Sequence, residues 1–79
     1  MKNIKVLGSG CANCRKTWQV IEEVAFDAGE TIQLEKVDAI EEIARYGILR
    51  TPGVVVDGKV VHSGGVPERE KVAQWFSHH

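Results

Sequence analysis

Residues 3–29 read NIKVLGSGCANCRKTWQVIEEVAFDAG and hold both cysteines of the chain, Cys11 and Cys14. The stretch Asn3–Leu7 alternates polar and apolar residues before a glycine-rich turn, which predicts a strand that runs into a tight loop. The residues after the loop place apolar side chains at helical spacing, which predicts a helix that Gly29 closes. The two cysteines therefore lie where a strand passes into the first turn of a helix.

The middle of the chain predicts a second strand and a short second helix. Residues 31–37 again alternate polar and apolar side chains, and three apolar ones are expected to face a core: Ile32, Leu34 and Val37. Asp38 and Glu41 have the spacing of a capping box, which predicts a helix with Asp38 as its N-cap. Gly47 is expected to close this helix.

The last third predicts a hairpin and a third helix. Residues 53–56 and 59–62 are strand-like, and Asp57-Gly58 between them is a strong hairpin sequence. Pro67 is a residue favoured at the first position of a helix, and acidic residues follow it in the predicted first turn.

The predicted order of elements is β-α-β-α-β-β-α. Strand–helix–strand units give parallel strand pairs, and the hairpin adds an antiparallel pair. The sequence therefore predicts an α/β fold in which a four-stranded mixed sheet is covered by three helices.

The composition limits the classes of protein to which the chain can belong. Its 79 residues suit one small domain, 1–79, and ten Lys and Arg against eleven Asp and Glu leave a net charge of −1. A nucleic-acid-binding surface would need a clear basic excess. No apolar run approaches the roughly 20 residues that span a bilayer, and no secretory signal is recognisable. We expect a soluble, cytoplasmic, monomeric domain that binds neither nucleic acid nor membrane.

The close spacing of the cysteines points to reactivity. A disulfide across so short a loop constrains the unfolded chain little and would hardly stabilise the fold. The thiolate is the reactive form of cysteine, and the positive end of a helix together with Arg15 and Lys16 favours it. From their positions, Cys11 at the end of the loop is predicted to be the nucleophile. Cys14, later on the same helix, is predicted to be the more buried resolving thiol.

The sequence resembles the thioredoxin superfamily over nearly its whole length. The Cys-x-x-Cys motif follows the first strand, and Tyr46-Gly47-Ile48 and Thr51-Pro52 precede the hairpin strands. The likeness is strongest to the small, glutaredoxin-sized members described as redox-active disulfide proteins. It implies a thiol–disulfide oxidoreductase that acts on protein disulfides and is itself reduced by an upstream thiol or flavoprotein reductase. It implies no cofactor besides the Cys11–Cys14 disulfide, and no metal.

The resemblance also implies a substrate groove beside the cysteines. The Thr51–Pro52 peptide bond is expected to be cis, with the Thr51 backbone pairing with a substrate strand and Pro52 packing against the dithiol. The other residues expected to line the groove come from the Cys-x-x-Cys loop and from the turn after the hairpin: Gly10, Ala12, Asn13, Gly64 and Gly65.

Four positions differ from thioredoxin itself. Gly10 stands where thioredoxin has a tryptophan, and Ala12-Asn13 replaces its Gly-Pro between the cysteines. The strand that leads to the site offers Lys5 where thioredoxin has a buried acid. Cysteine pKa values and the reduction potential depend on the intervening dipeptide and on nearby charges, so these differences bear on both.

Two alternatives use the same cysteines. A glutaredoxin-like reductase would take glutathione, since Thr51-Pro52, Gly64-Gly65 and Glu68 resemble parts of a glutathione site. A non-enzymatic soft-metal protein would hold Cu(I) or zinc between the two thiolates. The histidines that could complete a zinc site lack zinc-finger spacing: His62, His78 and His79. Trp18 and Trp75 are predicted to pack in the core or at the groove edge.

Overall fold

The computed structural model describes residues 2–8 and 12–76 of the chain. Its elements follow the predicted order, and their bounds are β1 Lys2–Leu7, α1 Ala12–Asp27, β2 Ile32–Val37, α2 Ile40–Arg45, β3 Gly53–Val56, β4 Lys59–Ser63 and α3 Arg69–Trp75. The α/β class, the four strands of the mixed sheet and the three helices are confirmed.

The sheet has the strand order β2-β1-β3-β4. β1 pairs in parallel with β2 and antiparallel with β3, and β3 pairs antiparallel with β4. The carboxyl ends of β2, β1 and β4 and the amino end of β3 therefore lie along one edge of the sheet. We call this the site edge and define it by Val37, Gly8, Gly53 and Ser63.

The main core lies between the sheet and the face covered by α1 and α3. On β1, Ile4 and Val6 point to this face, and Val54 of β3 faces the same way because it pairs with Val6. The buried cluster is completed by residues of the two helices and by Phe76, which follows α3: Ile21, Val24, Ala25, Val72 and Phe76. Trp18 and Trp75 are partly buried against this cluster, which agrees with their predicted packing role.

The opposite face of the sheet is covered more lightly. Leu7 and Val55 are buried there, and Gly53 leaves room for the Ile48 side chain, which a β-carbon at Gly53 would overlap. No residue of α2 is buried. The second helix therefore contributes no buried residue, whereas α1 and α3 pack against each other.

The hairpin turn is confirmed. Asp57 and Gly58 both have positive φ, at 50° and 85°, which is the backbone of a type I′ turn. The Asp57 carboxylate also accepts a hydrogen bond from the backbone N–H of Asn3 at 2.9 Å, so the turn is tied to the start of β1. Gly29 ends α1 with φ 69°.

Two predicted helix starts are wrong. The N-cap of α2 is Ala39, not Asp38, because the first intrahelical bond runs from the Ile43 N–H to the Ala39 carbonyl. No side chain caps this helix, so the capping box does not form. Likewise α3 has Glu68 as its N-cap and begins at Arg69, which leaves Pro67 as a buried residue before the helix.

Candidate active site

Cys14 is buried in the first turn of α1, with only 3% of its surface exposed. Its sulfur is disulfide-bonded. Ala12 and Asn13, which precede it on the helix, are exposed. Cys11 and Gly10, the other residues predicted for this part of the site, lie outside the described residues. The prediction that Cys14 is the more buried of the two thiols stays a prediction, because it needs the exposure of Cys11 as well.

Gly8 brings three parts of the chain together at the site edge. A β-carbon at Gly8 would lie 2.6 Å from the Cys14 sulfur and 3.2 Å from the Thr51 β-carbon. Its φ of 141° is also one that L side chains rarely adopt. Its N–H donates to the Val37 carbonyl at 2.8 Å, which holds this backbone against the end of β2. Only glycine permits α1 and the residue before Pro52 to approach the end of β1 so closely.

The structure brings Thr51, Pro52 and Gly64 together on the other side of Gly8. The Thr51–Pro52 peptide bond is cis, the conformation that the resemblance implies. Pro52 is buried and Thr51 is exposed, and the Pro52 carbonyl accepts a hydrogen bond from the Gly64 N–H at 2.9 Å. Gly65 is turned towards β4, where its carbonyl lies 2.9 Å from Nε2 of His62. Thr51, an exposed residue, therefore lies near Cys14.

The first turn of α1 is anchored by a buried hydroxyl. Thr17 is fully buried, and its Oγ1 donates to the Asn13 carbonyl at 2.7 Å. This bond satisfies a polar group that would otherwise be costly to bury. It also fixes the backbone between Asn13 and Cys14.

A pocket of about 260 Å³ opens beside Cys14 on the α1 face of the sheet. Its described lining residues are Val6, Gly8, Cys14, Arg15, Trp18 and Lys36. None of these is acidic, so the pocket combines apolar walls with two cations. Lys5 contributes nothing to it, because the Lys5 Nζ lies on the opposite face, 3.5 Å from the Tyr46 hydroxyl.

The sequence pattern does not identify Lys36 as a site residue, and it gives Gly8 only the role of a turn glycine that lets a substrate backbone come close. The packing of Gly8 against Cys14 and Thr51 depends on contacts with residues distant in sequence. The strand pattern could have identified Lys36. Alternate residues of a strand share a face, so Lys36 lies on the same face of β2 as Ile32 and Leu34, at the carboxyl end of that face. A charged residue at the carboxyl end of an apolar strand face is a pointer to a site at that edge.

Within 2–8 and 12–76, no cluster of three or more His, Cys, Asp or Glu side chains is placed to hold a metal ion. His78 and His79 lie outside that range. Across the described helices, none has the length and apolar character needed to cross a bilayer.

Comparison with known proteins gives consistent matches over almost the whole chain. A family model described as a thioredoxin domain matches residues 2–77. A protein named thioredoxin from Methanothermobacter thermautotrophicus is 30% identical over 77 residues, which cover 98% of this chain and 100% of that protein. A thioredoxin from Methanocaldococcus jannaschii is 30% identical over 71 residues, covering 90% of this chain and 81% of its own. A probable thioredoxin from M. thermautotrophicus is 32% identical over 74 residues, which cover 89% of this chain and 86% of that protein.

Proposed function

The chain belongs to the thioredoxin family, and from this we propose that it is a thiol–disulfide oxidoreductase with Cys11 as the attacking thiol and Cys14 as the resolving thiol. The observation that supports the proposal most is the position of Cys14. This buried, disulfide-bonded cysteine lies in the first turn of a helix and beside the residue that precedes a cis-proline. The sequence has one other cysteine, Cys11.

The proposed reaction is a pair of thiol–disulfide exchanges. The Cys11 thiolate attacks one sulfur of a client disulfide; a Cys11–client disulfide forms, and the other client sulfur leaves with the bonding electron pair and takes up a proton. The Cys14 thiolate then attacks the Cys11 sulfur and releases the second client thiolate, which is protonated in turn. The client disulfide has gained two electrons and two protons, and Cys11 and Cys14 have become a disulfide.

Thr51 suits the first exchange, in which the client binds, and Cys14 suits the second, in which the client is released. Thr51 is an exposed residue near Cys14, so a client strand can lie against the site edge. Burial of Cys14 keeps solvent and outside disulfides from its sulfur, which reserves it for the second step. An upstream thiol or a flavoprotein reductase would return the dithiol to its reduced form.

The experiment that tests the proposal is reduction of a protein disulfide, such as those of insulin, with dithiothreitol as the electron donor. We expect Cys11→Ser to lose the activity and Cys14→Ser to accumulate a covalent mixed disulfide that mass spectrometry detects. Ala28→Ser, at an exposed position just after the carboxyl end of α1, is the matched control and should keep the parental rate. Parental activity in Cys11→Ser would overturn the assignment of the nucleophile.

Glutathione use and soft-metal binding are the alternatives that the same assay separates. A glutathione-dependent enzyme would form a Cys11–glutathione disulfide and turn over faster with glutathione than with dithiothreitol. A non-enzymatic metal-binding protein would take up Cu(I) or zinc in proportion to its thiols and would show little reductase activity.

A further inference from the structure

The charges of α1 are arranged against the helix dipole. Arg15 and Lys16 lie at its amino end, and the acidic residues lie towards its carboxyl end: Glu22, Glu23 and Asp27. The first turn holds no acid and the last turn no base. Helices are usually stabilised by the opposite pattern, because the amino end carries partial positive charge. These cations therefore do not stabilise the helix; they add to the positive potential where Cys14 lies.

Lys36 adds a cation on one flank of Cys14. It is exposed near the carboxyl end of β2, and it lines the same pocket as Cys14 and Arg15. Its partner on β1 is apolar, since Val6 pairs with it in register. Two cationic residues therefore line the pocket together with Cys14.

Arg50 adds a cation on the other flank. It directly precedes Thr51, and its side-chain carbons run along Gly64, within 3.3–3.9 Å of where a β-carbon of Gly64 would lie. The aliphatic part of Arg50 is therefore held against the turn after β4. Its guanidinium extends from the segment that would pair with a client strand.

These cations form no ion pairs with the rest of the described chain. The salt bridges among residues 2–8 and 12–76 use only Arg45 and Arg69 as cations. Arg15, Lys36 and Arg50 are thus available to an outside anion. Because the whole chain carries a net charge of −1, the attraction is local to this edge and is not a property of the overall charge.

We propose that the site edge selects client segments with acidic side chains next to the disulfide, and that Arg50 and Lys36 determine this specificity. The inference rests on the proposed oxidoreductase function and names its substrate class. An acidic residue on one side of the client disulfide would meet Arg50 as the strand pairs beside Thr51. An acidic residue on the other side of the client disulfide would meet Lys36 and Arg15 at the pocket.

The test uses three synthetic peptides with the same disulfide loop and with acidic, neutral or basic residues on both sides of it. We expect kcat/KM for the acidic peptide to exceed that for the basic one by about tenfold at low ionic strength, with the difference shrinking as salt is added. Glutathione disulfide is a fourth substrate. A rate with it equal to that with the acidic peptide would overturn the assignment to peptide segments.

Variants locate the effect. Arg50→Gln and Lys36→Gln should each reduce the acidic-to-basic ratio by about two- to five-fold, the size expected for one exposed ion pair, through KM rather than kcat. Arg50→Lys, which keeps the positive charge, should keep the parental acidic-to-basic ratio. Lys59→Gln is the matched control, because Lys59 is exposed at the opposite edge of the sheet, and it should leave the ratio unchanged.

The outcomes separate the two proposals. If the parent protein reduces all three peptides at equal rates, the oxidoreductase function stands and the acidic specificity is wrong. An acidic preference that persists in both Gln variants overturns the roles of Arg50 and Lys36. If no peptide and no protein disulfide is reduced, the proposed function fails, and the inference built on it fails as well.

Discussion

Gly8 and Cys14 approach so closely that no side chain fits between them: a β-carbon on Gly8 would lie 2.6 Å from the Cys14 sulfur. The same atom would be 3.2 Å from the Thr51 β-carbon. One glycine thus sets the spacing between the resolving cysteine of the proposed mechanism and the residue before the cis-proline. Packing of this kind leaves little freedom for substitution, because protein interiors have few voids.

Gly8→Ala is expected to lower the free energy of unfolding by about 2–4 kcal/mol, since alanine meets both an unfavourable φ and an overpacked position. Urea unfolding measures the loss. The control is Gly29→Ala, which also has positive φ but nothing within 4 Å of the added β-carbon, and should lose only about 1 kcal/mol. Equal losses in the two variants would mean that the contact with Cys14 is not tight.

The core face of α1 should tolerate truncation far less than its outer face. Ile21 is completely buried, whereas Phe26 is 85% exposed on the same helix. We expect Ile21→Ala to lower the unfolding free energy by about 2–5 kcal/mol through lost burial and an internal cavity. Phe26→Ala should change it by less than about 0.5 kcal/mol. A large loss in Phe26→Ala would show that this side chain is covered in solution.

Arg69 links α3 to α1 through two carboxylates. Its guanidinium donates to Glu23 at 2.7 Å and to Asp27 at 3.2 Å, and all three side chains are about half exposed or more. Because solvent screens such pairs, Arg69→Gln should cost about 0.5–1 kcal/mol at low salt and less at high salt. Arg45→Gln is the control, since Arg45 has one pair at 3.9 Å within its own helix. A cost for Arg69→Gln that does not change with salt would contradict an electrostatic link.

Trp18 should report the redox state of the site. It lines the same pocket as Cys14, and a disulfide near an indole quenches its fluorescence. We expect fluorescence to rise when the protein is reduced, and we expect that change to vanish in Trp18→Phe. Trp75→Phe is the matched control because Trp75 packs against the core at the end of α3 and not at this pocket. If the change instead vanishes in Trp75→Phe, the indole near the disulfide has been misassigned.

Helix starts show where local patterns fail. Asp38 and Glu41 have capping-box spacing, yet the first helical bond of α2 starts one residue later, at Ala39. Pro67 likewise precedes α3 and is buried there. A cap forms only where the backbone leaves the extended conformation, and that position depends on how the flanking loop packs. The sequence spacing is compatible with several starts.

The order of elements, the Asp57-Gly58 turn and the place of Cys14 at the start of a helix follow from residues close together along the chain. Periodicity, turn preference and the positive end of a helix are local properties, so one sequence suffices to predict them. The meeting of Gly8, Cys14 and Thr51, and the flanking of that site by Lys36 and Arg50, follow only from the strand order β2-β1-β3-β4. That order brings distant segments to one edge, and no local preference encodes the distances between them.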